Sequence, residues 1–169
     1  MKKKSQDYYT NHKKEAGFTL VETIVATGVI VVALVSSLAL INSSLVSASN
    51  FSDRLIASNL EAEGIEVVRN IRDNNWLQNL SWNNGLSDGD YNVAYNSLSL
   101  TTFSDTPLKL NSSNGIYDYS VSGDQTIFKR RISISNLSSY EIKVVSTVSW
   151  QRRSRSYSIT VEDHLFSWK

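Results

Sequence analysis

The first third of the chain carries a long apolar stretch that predicts a helix able to enter a membrane. No charged residue occurs between residues 23 and 52, and residues 24–41 are apolar except for one glycine and three hydroxyl side chains. A stretch of this length is at the lower end of what crosses a bilayer as a helix. Glu22 lies at its start, where an unpaired carboxylate costs at least about 2 kcal/mol. The segment therefore needs an explanation for that one charge.

The helical pattern continues beyond the apolar stretch and becomes amphipathic. Within residues 50–76, one stripe of apolar side chains faces away from a charged surface and comprises Ile56, Leu60, Val67, Val68 and Ile71. No proline interrupts residues 18–76. We therefore predict one helix from about Phe18 to about Asp73, with Gly28 and Gly64 as points of flexibility.

The last third of the chain shows the alternation that is typical of β-strands. Apolar or aromatic residues occupy most alternate positions in three runs, at residues 128–134, 142–150 and 157–165, with Arg130, Ser146 and Asp163 as the exceptions. Short polar loops separate the runs. Three such strands predict an antiparallel meander with one face toward a core. On the first run this pattern places Phe128, Arg130, Ile132 and Ile134 on one face.

The helix and the strands together predict an α+β fold. The C-terminal half of the long helix has the apolar face that the antiparallel sheet needs as its second layer. Between them lies a polar region rich in Asn, Ser, Gly and Asp, with turn signals at Asn84-Gly85, Asp88-Gly89 and Asn114-Gly115. A short strand is expected near residues 91–95.

Charge is distributed unevenly along the chain. Residues 1–17 hold five lysines and two acids, a net charge of +3, and the remaining 12 basic and 14 acidic residues give −2. The positive-inside rule places the lysine-rich end in the cytoplasm and the body of the chain outside it. The mildly acidic body argues against general nucleic-acid binding. There are no cysteines, so disulfides and thiolate metal sites are excluded.

The boundary before the apolar stretch resembles a known processing site. The sequence KKEAGFTLVE, residues 13–22, is similar to the prepilin site of type IV pilins and of type II secretion pseudopilins. The resemblance implies cleavage between Gly17 and Phe18, N-methylation of Phe18, and a role for Glu22 as the fifth mature residue. A signal-peptidase site with Val46 and Ala48 at suitable spacing is the other interpretation. That interpretation leaves Glu22 unexplained.

The resemblance also implies an organisation and a set of partners. Residues 1–17 would be a cytoplasmic leader that is removed, residues 18–74 a long helix with the membrane or filament core in 18–45, and residues 75–169 an extracytoplasmic β head. The whole would have the ladle shape of a pilin. The implied partners are the prepilin peptidase and methyltransferase, other pilin or pseudopilin subunits, the assembly platform of the inner membrane, and lipid. The protein would begin in the bacterial cytoplasmic membrane and end in a surface or periplasmic filament.

Glu22 is explained if it sets the register of assembly. Cleavage would leave a cationic amine on Phe18, and this amine on one subunit can pair with the Glu22 carboxylate of a neighbour. A charge pair attracts strongly in a low-dielectric environment, whereas an unpaired charge there is penalised. The correct axial stagger of subunits would then be favoured, as a buried polar residue specifies register in a coiled coil.

A second hypothesis is a ligand-binding minor pilin that serves DNA uptake or adhesion. Six basic residues in two strands and their loop would form its patch: Lys129, Arg130, Arg131, Arg152, Arg153 and Arg155. The competing interpretation is a solvated hairpin loop that protects the strand edges.

Catalytic and metal chemistry find little support in the sequence. The two histidines are His12, in the predicted leader, and His164, on the polar face of the last strand, so no Ser-His-Asp set can be placed. The sequence DGDYN, residues 88–92, begins like a calcium loop but has Val93 at its sixth position and Ser99 at its twelfth. We therefore expect a turn there, no cofactor, no metal and no enzymatic activity.

Overall fold

The computed structural model describes residues 17–120 and 122–168. The lysines and His12 of the predicted leader lie outside the described residues. The chain divides after Ser47 into two compact units. Here they are called the N-terminal unit, up to Ser47, and the C-terminal unit, from Ala48 onward.

One helix, α1, covers Leu20–Leu77, which confirms the predicted long helix. Its last turn extends beyond the predicted end near Asp73. The amide of Leu80 donates to the carbonyl of Asn75 and the amide of Asn79 donates to that of Trp76. Asn79 itself has a positive φ of 57°. This is a Schellman cap with asparagine at the left-handed position, so the helix ends where its last carbonyls find these donors.

In the N-terminal unit, every side chain of residues 17–45 is exposed. The three hydroxyl residues of the apolar stretch bond to the helix itself. Thr27 donates to the carbonyls of Thr23 and Ile24, and Ser36 and Ser37 donate to those of Val32 and Ala33. Their polarity is therefore satisfied without water, as a helix surrounded by hydrocarbon requires. By length and composition, α1 is long and apolar enough to span a membrane.

The described residues of the C-terminal unit form eight strands in two sheets. The strands are β1 Gly89–Asn92, β2 Thr101–Thr102, β3 Lys109–Asn111, β4 Ile116–Asp118, β5 Asp124–Gln125, β6 Phe128–Ser138, β7 Glu141–Arg152 and β8 Arg155–Phe166. The larger sheet has the order β2-β1-β6-β7-β8 and the smaller sheet the order β4-β3-β5.

The predicted meander is confirmed as β6, β7 and β8. All pairings within it are antiparallel, with Ile134 opposite Val144 and Val148 opposite Ile159. Burial alternates along β7 as the sequence pattern requires. The β7–β8 loop is a two-residue turn in which Arg153 and Ser154 both have positive φ, the geometry that fits the twist of a hairpin.

The prediction was incomplete for the region between α1 and β6. The short strand expected near residues 91–95 is β1, and it begins earlier, at Gly89. The remaining strands before β6 have three residues or fewer. Strands of that length are too short to show an alternating pattern, so no sequence signal predicted them.

The core of the C-terminal unit lies between the larger sheet and the part of α1 from Ala57 to Ile71. At Gly64 the two layers are in close contact. A Cβ atom at this position would lie 2.7 Å from Ile132 Cδ1 and 2.7 Å from Ser146 Oγ. Gly64 is therefore a packing position on the sheet, and the prediction of a flexible point there was wrong.

Candidate functional site

The first candidate site is the start of α1, where three sequence-predicted residues lie close together in the chain. Gly17 and Phe18 precede the helix and are exposed, and the Phe18 side chain retains 78% of its accessible surface. Apart from its chain neighbours, no described residue has a heavy atom within 4 Å of the place where a Cβ atom on Gly17 would be. The described part of the chain therefore gives no internal reason for a glycine at position 17 or an aromatic residue at position 18.

The start of α1 has a local cap that the sequence reasoning missed. The amide of Glu22 donates to Thr19 Oγ1 at 3.2 Å, which makes Thr19 the N-cap of α1. Thr19 and Glu22 have the spacing of a capping box, in which a glutamate or glutamine follows the N-cap by three residues. The carboxylate also lies in the first turn, where the helix dipole favours negative charge. The signal T-x-x-E was present in the sequence.

The prediction that Arg130 belongs to a basic surface patch is wrong. This side chain is 0% exposed, because it lies on the core-facing side of β6. Its guanidinium donates to Glu63 Oε1 at 2.8 Å, to the Leu60 carbonyl at 2.9 Å and to the Val93 carbonyl at 2.5 Å. Arg130 thus joins α1 and the chain after β1 to the sheet. It cannot contribute to a surface that contacts a ligand.

A polar network continues from Arg130 into the loops. The Tyr119 hydroxyl donates to the Arg130 carbonyl at 3.4 Å and accepts from Asn92 Nδ2 at 2.9 Å. Burial raises the pKa of the Tyr119 hydroxyl, so it stays protonated and can donate at neutral pH. Asn92 Oδ1 in turn accepts from the amide of Ser104. The network holds the loop after β2 against the sheet and is a structural feature.

The other five cations do not form one unpaired patch. Three of them pair with carboxylates: Lys129 Nζ lies 2.5 Å from Asp105, Arg131 lies 3.8 Å from Asp90, and Arg152 pairs with the buried Asp53. Arg131 also lies over the Phe103 ring, 5.9 Å from its centroid. Among the residues that the structure describes, only Arg153 and Arg155 of the six are exposed without a carboxylate partner.

The DGDYN sequence ties β1 to β6. Asp88 Oδ1 accepts hydrogen bonds from the backbone amide of Asn136 at 2.6 Å and from its side chain at 2.8 Å. These bonds lower the pKa of the Asp88 carboxyl. Asp90 Oδ1 accepts from Ser133 Oγ. Over residues 17–120 and 122–168, no three His, Asp or Glu side chains converge as metal ligands would.

His164 lies on the sheet face opposite α1, between two carboxylates. Its Nδ1 is 2.7 Å from Glu141 Oε1 and its Nε2 is 3.2 Å from Glu162 Oε1. Glu141 first, and then Glu162, raise the pKa of the imidazole. Glu162 also contacts Lys143 at 3.4 Å. The histidine is thus a partly exposed member of a surface ion network, and its raised pKa affects stability more than any chemistry.

The sequence-predicted sites belong to different units of the chain. Gly17, Phe18 and Glu22 belong to the N-terminal unit, whereas the six cations belong to the C-terminal unit. Comparison with models of known protein families, with characterised proteins and with solved structures finds no match to this chain.

Proposed function

We propose that this protein is a non-catalytic subunit, a minor pilin or pseudopilin, of a type IV pilus or type II secretion filament. Prepilin peptidase would cut between Gly17 and Phe18, and Phe18 would then be N-methylated. The mature chain would be a single-pass protein of the cytoplasmic membrane with its C-terminal unit outside, and it would enter a filament through its N-terminal helix.

One observation carries the proposal. The apolar stretch of α1 is helical and fully exposed, its hydroxyl groups are satisfied internally, and a single carboxylate stands at its start. Such a surface has to be covered, first by lipid and then by neighbouring helices if subunits assemble. A cationic N-terminus on Phe18 would give Glu22 a partner in both stages.

The Gly17 surroundings support the same proposal. The described chain leaves open space at position 17, so a requirement for glycine there would come from another protein. A peptidase subsite that admits no side chain is such a requirement. The same argument applies to Phe18, because its side chain is exposed within the part of the chain that the structure describes.

The alternative, a minor pilin that binds DNA or an adhesion ligand through its basic residues, receives less support. Arg130 is buried and three other cations of the set have carboxylate partners. A patch reduced to Arg153 and Arg155 neutralises few phosphates, and affinity for a DNA backbone rises with that number. The filament role therefore remains the proposal.

The test is the incorporation of Glu22 variants into filaments. We expect Glu22→Ala and Glu22→Gln to be inserted and cleaved normally, because removing a carboxylate makes the segment more apolar. Both should be lost from sheared filaments and retained in the membrane, since the neighbour's amine would be buried without a partner. The readout is the ratio of processed protein in the two fractions.

The glutamine variant separates charge pairing from helix capping. Glutamine can replace glutamate in a capping box, so it preserves the start of α1 but not the charge. If Glu22→Gln assembles while Glu22→Ala does not, the residue acts through the cap and the pairing role is wrong. If both variants assemble as the unchanged protein does, Glu22 has no part in assembly.

A further inference from the structure

The last strand, β8, forms one edge of the larger sheet. It pairs with β7 along its full length, from Arg155 opposite Arg152 to Phe166 opposite Glu141. No other strand in the described part of the chain pairs with it. An edge of this length offers a row of unpaired amides and carbonyls on which another strand can add.

The direction of these backbone groups follows from two bonds at the ends of the strand. The amide of Ser167 donates to the carbonyl of Tyr140 at 2.8 Å, and the two-residue turn makes Arg155 and Arg152 a hydrogen-bonded pair. In an antiparallel pair such residues alternate with residues whose backbone groups point away. The odd-numbered residues of β8 therefore bond to β7, and the outward groups belong to Ser156, Ser158, Thr160, Glu162, His164 and Phe166.

Near the C-terminal end of β8, an outward backbone group is already hydrogen-bonded within the chain, whereas the outward groups in the middle of the strand are free to pair. The amide of His164 donates to Asp163 Oδ1 at 3.0 Å, so this outward group is already used within the chain. A charged side chain placed on its own strand edge is a common way to stop pairing. The open part of the edge is thus residues 156–162.

A cleft runs beside the open edge on the side of α1. It has a volume of about 270 Å³ and is lined by Ala62, Ile65 and Val161, with charged residues at its rim. Ile159 and Val161 are only half-buried, although they lie on the core-facing side of β8. An added strand would cover both residues and place a side chain in the cleft.

The rim of the cleft carries more negative than positive charge. Of the described residues that line it, Glu66, Glu162 and Asp163 are acidic and Arg69 is basic, and Lys143 also contacts Glu162 at 3.4 Å. Arg69 pairs with both Glu66 and Asp163 and lies 2.7 Å from the latter. A basic side chain on the incoming strand would therefore be favoured opposite Asp163.

We propose that β8 binds an extended segment of a different protein chain by antiparallel strand addition. The segment would carry a basic residue opposite Asp163, an apolar residue opposite Val161 that enters the cleft, and a second apolar residue opposite Ile159. Read in its own direction, its pattern is basic-x-apolar-x-apolar, with small polar residues between. This proposal does not depend on the filament role.

A second copy of this chain is a poorer occupant of the edge. Within the C-terminal unit, α1 runs from Asp53, which pairs with Arg152 at one end of β8, to Trp76, which contacts Trp168 at the other. Two β8 strands paired antiparallel would place the Ala48 ends of the two copies at opposite ends of the joined sheet. Each Ala48 end continues into an apolar segment. If both segments enter the same membrane, the two copies cannot place their Ala48 ends at opposite ends of the sheet.

The test uses the full chain in detergent micelles and a synthetic peptide, acetyl-Arg-Thr-Ile-Thr-Ile-Thr-amide. Residue-resolved hydrogen exchange should show the amides of Ser158, Thr160 and Glu162 slowed by about tenfold or more at roughly 1 mM peptide. The amides of Ile159 and Val161 already bond to β7 and should not change. A peptide with N-methyl groups on its edge-facing amides should give no protection, and replacing its arginine with glutamate should weaken binding.

Two variants at one position make the result specific. Thr160→Pro removes an outward amide without breaking the β7 ladder, and it should abolish the protection. Thr160→Ala keeps that amide and should bind the peptide as the unchanged chain does, and near-ultraviolet circular dichroism checks that both variants are folded. The proposal is overturned if the outward amides stay unprotected, if Thr160→Pro still binds, or if the edge is protected by self-association before peptide is added.

Discussion

At the scale of single residues, the strand pattern and the side-chain charge gave opposite predictions for Arg130. The alternation along β6 placed it on the core-facing side with Phe128 and Ile132, while its charge suggested a surface patch. The structure agrees with the alternation, because two carbonyls and Glu63 accept hydrogen bonds from the two terminal nitrogens of the buried guanidinium, while its Nε has no partner among the described residues. Periodicity was the better guide since burial follows the strand geometry. The partner on α1 could not be found from the sequence, because it is distant along the chain.

The Arg130–Glu63 pair gives the first prediction. Glu63→Ala leaves the buried guanidinium without its carboxylate, and we expect a loss of about 2 kcal/mol in the free energy of unfolding. The matched control is Glu66→Ala on the same helix, which breaks the exposed pair with Arg69 and should cost under about 0.5 kcal/mol. Denaturant unfolding followed by tryptophan fluorescence measures both, since all four tryptophans lie in the C-terminal unit. Equal effects of the two changes would contradict the assignment.

His164 gives a prediction about pH. Its pKa is raised in the folded chain by Glu141 and Glu162, so its contribution to stability is full below its ordinary value of about 6.5 and is lost as the pH rises through the higher folded value. The lowered pKa of Glu162 acts only at acidic pH, where its contribution is lost as the carboxylate is protonated. Unfolding midpoints should therefore fall as the pH rises above about 6.5 in the unchanged chain, and they should fall less in His164→Gln. If the unfolding midpoints of the two proteins changed with pH in parallel, the ion pairs of His164 with Glu141 and Glu162 would contribute nothing to stability.

At the scale of elements, the sequence predicts those parts whose pattern is long enough to repeat. The helix and the strands β6, β7 and β8 were all identified from periodicity. The strands between Gly89 and Gln125 were mostly missed, because pairing with β6 and with each other determines them more than their own composition does. The end of α1 was placed too early because the asparagine cap at Asn79 was not used as a signal.

Gly64 tests how closely α1 packs on the sheet. Alanine favours a helix over glycine by about 1 kcal/mol, yet its Cβ atom would overlap Ile132 and Ser146, and overpacking costs about 1 to 3 kcal/mol. We expect Gly64→Ala to lower the free energy of unfolding of the C-terminal unit. Gly28→Ala is the control, because no atom lies within 4 Å of its added carbon. A stabilised Gly64→Ala protein would show that the layers are not in close contact.

At the scale of the whole molecule, the two units differ in how their apolar surfaces are covered. The C-terminal unit buries its own apolar residues between α1 and the sheet. The apolar residues of the N-terminal unit are exposed and have no cover within the described chain. The proposed filament role would account for this difference, because lipid and other subunits would then cover the N-terminal unit. The cleavage that the motif implies lies at the edge of the described residues and is a proposal.

The independence of the C-terminal unit can be tested directly. A chain beginning at Ala48 keeps the complete core and has no cysteine, so it should fold as a soluble monomer without metal or disulfide. Circular dichroism should show helix and strand, and the melting temperature should be the same in calcium and in a chelator. A random coil would contradict the division into units, and a calcium-dependent melt would give the DGDYN loop a metal role.

The central claim, that the chain is a processed filament subunit, is tested most directly by the intact mass of the protein extracted from the membranes of cells that carry the prepilin peptidase. We predict a mature chain that begins at Phe18 and carries one N-methyl group, and a Gly17→Leu variant that retains the leader. A chain that begins at Met1 in the presence of the peptidase, or one that begins near Ser49 as after signal-peptidase cleavage, would contradict the account.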